Sequence, residues 1–139
     1  LKKVPLVLLM VFFNVGLSQE DCQLGVGGQD DQVIMEVFQL NDNQKDKLKS
    51  WSAELKVRND ILKDRAKHLL KRHEGSSPEV LMTFSKQYKD ILDSMKQNAL
   101  MMDRRLLSTL NAKQYNLYLE LCSQLTLRPM YVDRSVDEK

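Results

Sequence analysis

Glu74-Gly75-Ser76-Ser77-Pro78 interrupts a span, Leu40 to Leu107, that otherwise contains neither glycine nor proline. Gly75 suits the left-handed conformation that ends a helix, and Lys71, Arg72 and His73 stand in the preceding turn, where cations favour the carbonyl end. Ser76 or Ser77 can cap a second helix, Pro78 fits its first position, and Glu79 stands three residues after Ser76 as in a capping box. The stretch therefore predicts two long helices folded back on one another, each about 45 Å long at 1.5 Å per residue. The fold class expected is all-α: a long antiparallel helical hairpin with short flanking helices, occupying residues 30–126.

The first arm opens at Leu40-Asn41-Asp42-Asn43-Gln44. Asn41 is a favoured N-cap, Gln44 can reach back to the cap's amide, and Leu40 can staple the first turn. Leu48, Trp51, Leu55, Ile61, Leu62, Ala66, Leu69 and Leu70 then recur with helical period, with Arg58 and Arg65 near the stripe's centre. The second arm carries Leu81, Phe84, Tyr88, Ile91, Leu92, Met95, Ala99, Met102 and Leu106 in alternating steps of three and four, a heptad-like seam. Met95 and Met102 read as core, whereas Met82 and Met101 can belong either to core or to an adaptable surface.

A last helix opens at Leu110-Asn111-Ala112-Lys113-Gln114, repeating the earlier leucine, asparagine and glutamine spacing. Its apolar face, from Tyr115 and Tyr118 to Leu125, is expected to cover one end of the hairpin, and Pro129 stops it. Asp30 and Asp31 introduce Val33 to Phe38, read as a short helix or an extended segment with the helix preferred. Residues 19–29, with Gly25, Gly27 and Gly28, read as a flexible leader, and 127–139 as a disordered tail.

Residues 1–18 read as a cleavable secretory signal: Lys2 and Lys3, an apolar run from Val4 to Val15, then Gly16-Leu17-Ser18. The run falls short of the roughly 20 residues a membrane span needs, although an uncleaved anchor is the alternative. Export places the two cysteines, Cys22 and Cys122, where they can oxidise. They can form an intramolecular bridge, pair between chains, or leave a buried thiol at Cys122 and a free Cys22.

Basic residues outnumber acidic ones between Lys45 and Arg72, so the first arm is cationic. Such a helix can meet nucleic acid, an anionic membrane or acidic proteins, or it can be a solvated face laced with intrahelical pairs. Export argues against nucleic acid. Lys56, Arg58, Lys63, Arg65 and Lys67 are the candidate residues for binding a protein client or partner.

The paired segments Leu40-Asn41-Asp42-Asn43-Gln44 and Leu110-Asn111-Ala112-Lys113-Gln114 resemble the LTxxQ motifs of the Spy/CpxP family of bacterial periplasmic proteins. The layout is similar too, with one motif before a helical hairpin and one after it. Asparagine replaces threonine in both copies, a change that preserves capping, and the paired cysteines have no counterpart in the family pattern. The resemblance implies a periplasmic, curved all-α homodimer in which Leu40, Asn41, Gln44, Leu110, Asn111 and Gln114 are architectural and lie together. It also implies an ATP-independent holdase chaperone or an adaptor for an envelope-stress sensor, with unfolded or sensor proteins as partners. More distant relatives of the ZraP and CnrX type bind transition metals, so a periplasmic metal sensor is the alternative, and a purely structural envelope protein a third.

An enzyme is not expected, nor is a cofactor. HExxH, CxxC and Gly-Lys-Ser/Thr patterns are absent, and His68 and His73, five residues apart, align poorly on one helix face. Those two histidines are nonetheless the candidate residues for a metal.

Overall fold

The computed structural model describes residues 19–134; the expected signal at 1–18 and the last residues, 135–139, lie outside the described residues. Within those limits the chain forms four helices, α1 (Asp31–Val37), α2 (Asp42–Arg72), α3 (Pro78–Thr109) and α4 (Ala112–Gln124). Among the described residues there is no strand, and extended pairing is confined to a parallel bridge between Asp21 and Arg128. The chain is all-α, as expected from its periodicity.

Gly75, at φ 75°, takes the left-handed conformation between α2 and α3. Ser77, not Ser76, is the N-cap of α3, and Pro78 occupies its first turn. The capping box expected between Ser76 and Glu79 does not form, because Glu79 falls one position short of the third residue after the cap. α2 and α3 lie antiparallel. Asn98 Nδ2 donates to Asn59 Oδ1 at 3.2 Å, Arg105 Nη1 meets Glu54 Oε2 at 2.7 Å, and the His73 and Phe84 rings lie 5.4 Å apart.

Packing is uneven along this pair. Near the two motifs, Leu40, Leu48, Leu55, Leu100, Met102, Leu106, Leu107 and Leu110 are buried together with Val26, Ile34, Phe38 and Tyr118. Between residues 56 and 99 no side chain is fully buried. On this stretch Leu62, Ala66 and Leu69 of α2 and Phe84, Tyr88, Ile91 and Met95 of α3 are only half-buried. Ile61, Leu70, Leu81 and Leu92, read from sequence as part of the apolar stripes, are exposed. A single neighbouring helix covers only one stripe of each arm, so the flanks of the stripe remain in water. Met102 is buried and Met82 is exposed, while Met95 and Met101 are half-buried.

Two terminal readings need correction. The segment 19–29 is not a loose leader: Cys22 and Val26 are buried, and the Cys22 N–H donates to the Arg128 carbonyl at 2.8 Å. The tail is ordered where described. Leu127 N–H bonds the Cys122 carbonyl at 2.9 Å, and buried Met130 donates its N–H to Tyr118 Oη at 2.8 Å. Glycine content and polarity describe local preference; here each segment finds partners about a hundred residues away.

Candidate functional site

Both Leu-Asn-x-x-Gln segments fold as complete capping boxes. Asn41 Oδ1 accepts the Gln44 N–H at 2.9 Å while Gln44 Oε1 accepts the Asn41 N–H at 3.0 Å. Asn111 and Gln114 repeat this at 2.8 and 2.9 Å. Leu40 and Leu110, the residues before the caps, are buried. The boxes also meet each other. The Gln44 amide donates to Gln114 Oε1 at 2.9 Å and the Gln114 amide donates to Gln44 Oε1 at 3.0 Å. Each amide's second hydrogen goes to backbone, from Gln44 to Thr109 O at 2.9 Å and from Gln114 to Phe38 O at 3.0 Å. Both donors and both lone pairs of each glutamine are thus used, which makes burial of two neutral amides tolerable. This cluster holds helix starts in place and contains no nucleophile or base.

A second buried polar centre has no motif to mark it. Asp103, in α3, accepts backbone N–H groups from Leu24 at 2.8 Å, Gly25 at 3.2 Å and Val26 at 2.9 Å. Burial pushes its carboxyl above the ordinary 3.8; the three N–H donors pull the other way, and nearby Asp31 adds to the rise. Asp31 in turn accepts from Gly27 N–H at 2.9 Å and from the Ser52 hydroxyl. Tyr118 completes the clamp by donating its hydroxyl to the Cys22 carbonyl at 2.8 Å. Cys22 and Cys122 form a disulfide, with Cα atoms 5.7 Å apart. Asp103 was missed because a lone acid beside an apolar seam looks like a solvated flank; its partners are segments remote in sequence.

The cationic candidates do not converge. Lys56 and Lys63 both face Asp60, at 2.5 and 3.9 Å. Arg58 pairs with Glu54 at 2.9 Å, and Glu54 also receives Arg105. Lys56, Lys63 and Lys67 share one side of α2 by their spacing of seven and four, whereas Arg58 and Arg65 share the other. These contacts hold the Glu54 and Asp60 carboxyls below their usual range, Arg105 acting first on Glu54 and Lys56 on Asp60. Among the described residues, Arg65 and Lys67 have no carboxylate within ion-pair distance.

Arg65 instead lines an open groove of about 450 Å³ with His68, Leu69, Arg72, Gln87, Asp90 and Ile91. His73 is turned elsewhere, against the Phe84 ring. The two histidines are therefore not brought together, and among the described residues no group of three or more His, Cys, Asp or Glu side chains is placed to hold a metal ion. A larger cleft of about 790 Å³ lies beside the glutamine pair, lined by Gln39, Asn111, Lys113, Asn116 and Glu120 among others. Among the described residues no helix is long and apolar enough to cross a membrane. Comparison of the chain with protein-family models, with curated proteins and with solved structures finds no significant match to any of them.

Proposed function

We propose that this chain is an exported, Spy/CpxP-like protein whose α2–α3 hairpin holds unfolded or partner proteins without nucleotide, cofactor or covalent chemistry. The observation that carries the reading is the absence of any fully buried side chain between residues 56 and 99. Val57, Ile61 and Leu92 stand exposed on helices that also display Arg58, Lys63, Arg65 and Lys67. Cations speed encounter with acidic or unfolded chains, and apolar groups beside them shelter client surface. The joined capping boxes support the resemblance, because they bring Leu40, Asn41, Gln44, Leu110, Asn111 and Gln114 into one cluster. In this reading the mature chain begins after residue 18, resides in the periplasm and works as a homodimer.

The test is aggregation of a chemically denatured client, followed by light scattering with the protein at up to equimolar amounts. Suppression that is slowed by salt and weakened by Val57→Ser with Ile61→Ser is expected. No suppression across several unrelated clients removes the holdase reading. The adaptor reading then remains, and it requires that crosslinking in an envelope extract recover one defined sensor.

A further inference from the structure

The turn end of the α2–α3 pair differs in charge pairing from the middle of α2 and resembles its start, where Lys45, Lys47 and Lys49 also have no carboxylate within 4.0 Å among the described residues. At the turn end, though, exposed apolar residues accompany the unpaired cations. In the middle of α2, from Lys56 to Lys63, the cations Lys56, Arg58 and Lys63 face Asp60 or Glu54. Beyond Asp64 come Arg65, Lys67, Lys71 and Arg72, and among the described residues none of the four has a carboxylate within 4.0 Å. The neighbouring part of α3 carries Lys86 and Lys89 as well as Glu79 and Asp90, and the turn carries Glu74; of these, Asp90 lines the groove with Arg65 and Arg72. Apolar groups crowd the same end. Leu70 is 50% exposed, Val80 and Leu81 each 41%, and Met82 77%.

The arrangement of these cations selects the kind of partner. Arg65 and Arg72, seven residues apart, lie on one side of α2, while Lys67 and Lys71, four apart, lie on the other. A linear ligand in the groove beside Arg65 and Arg72 reaches only the first set. A charged plane met end-on reaches both sets, and it meets the apolar residues of the first turns of α3 at the same time.

We propose that the turn end of the α2–α3 pair docks peripherally on an anionic lipid surface. Arg65, Lys67, Lys71 and Arg72 lie against headgroup phosphates, while Leu81 and Met82 enter the boundary between headgroups and acyl chains. Basic residues at an anionic surface and a few inserted apolar side chains together give reversible attachment, which neither supplies alone. This goes beyond the holdase reading, since it concerns a lipid and not a protein partner.

The test uses the intact chain with phosphatidylcholine vesicles, with and without phosphatidylglycerol. An environment-sensitive fluorophore is placed on Met82→Cys, and a second preparation carries it on Asn116→Cys at the opposite end. The expected result is a blue shift at position 82 but not at 116, only with phosphatidylglycerol, and reversed by salt. Arg65→Gln with Arg72→Gln should weaken binding more than tenfold, at about fivefold for each cation removed. Leu81→Ser should abolish the shift while leaving helicity by circular dichroism unchanged. A silent probe at position 82 on vesicles that nevertheless bind the chain overturns the proposal, as does binding insensitive to these substitutions. Conversion of a dimer to a monomer by Leu81→Ser also overturns it, because the apolar end would then be an interface between copies. Aggregation suppression is scored separately, so loss of either activity alone identifies which idea fails.

Discussion

Gln44 and Gln114, 70 residues apart in sequence, donate their side-chain amides to each other's carbonyl oxygens inside the core. Each oxygen also accepts the N–H of its own capping asparagine. Truncating either glutamine takes one of two hydrogen bonds from its partner's amide and leaves a backbone carbonyl and the N–H of its own capping asparagine without the bond it supplied. Gln44→Ala or Gln114→Ala should therefore cost about 2–3 kcal/mol. The double variant should cost clearly less than the sum, since both single changes break the same reciprocal pair. Urea unfolding of the four proteins gives the coupling directly, and strict additivity would mean the pair does not act as a unit.

Asp103→Ala should destabilise by about 2–4 kcal/mol, because three backbone donors in residues 24–26 lose their acceptor. The amides of Leu24 and Val26 should lose hydrogen-exchange protection before those of α4. The pH dependence has an unusual sign. Burial raises the folded-state pKa above 3.8, so this group's contribution is fully present below pH 3.8 and lost as pH rises through the raised value. Asp103→Asn, which does not titrate, should remove that slope from the stability curve. A carboxyl signal titrating at or below 3.8 would show instead that the three N–H donors outweigh burial.

Glu54 behaves oppositely. Arg105 and Arg58 lower its pKa from 4.5, so its stabilising contribution is present above pH 4.5 and lost as pH falls through the lowered value. Glu54→Gln should melt below the parent at neutral pH, and the two melting curves should converge on acidification. The pair is part-exposed, so salt should narrow the gap as well. A gap that persists at low pH would assign the effect to packing.

Gly25 and Gly27 separate two reasons for glycine. Both have φ near 80°, but a Cβ at Gly25 meets nothing within 4 Å, whereas at Gly27 it comes within 2.7 Å of Leu55 Cδ2. Gly25→Ala should cost about 1 kcal/mol from backbone strain alone. Gly27→Ala should cost roughly 2–3 kcal/mol, since Leu55 must also move within a packed cluster. Thermal unfolding ranks them, and equal costs would mean that Leu55 swings aside freely.

The parts legible in the sequence were those decided within a few residues. Asn41 with Gln44, Asn111 with Gln114, and Gly75 before Pro78 each carry a local stereochemical signal, and the helices begin and end accordingly. What escaped was decided across the chain. Gly25, Gly27 and Gly28 advertise looseness, yet Asp103, Tyr118 and Cys122 hold that segment in place. The basic arm could be counted but not apportioned, because charge totals do not reveal that Asp60 and Glu54 engage Lys56 and Arg58 while Arg65 and Arg72 line a groove. Helical periodicity showed the apolar stripes without showing that Ile61 and Leu70 would lie outside the single seam that two helices can close.

The Cys22–Cys122 bond encloses both long helices and the turn at Gly75 within one covalent ring. A protease that nicks the exposed turn therefore does not release either arm. The cut chain would migrate as one species until a thiol reductant is added, and only then separate into two fragments. The bond thus keeps both arms tethered after a cut that would otherwise part them.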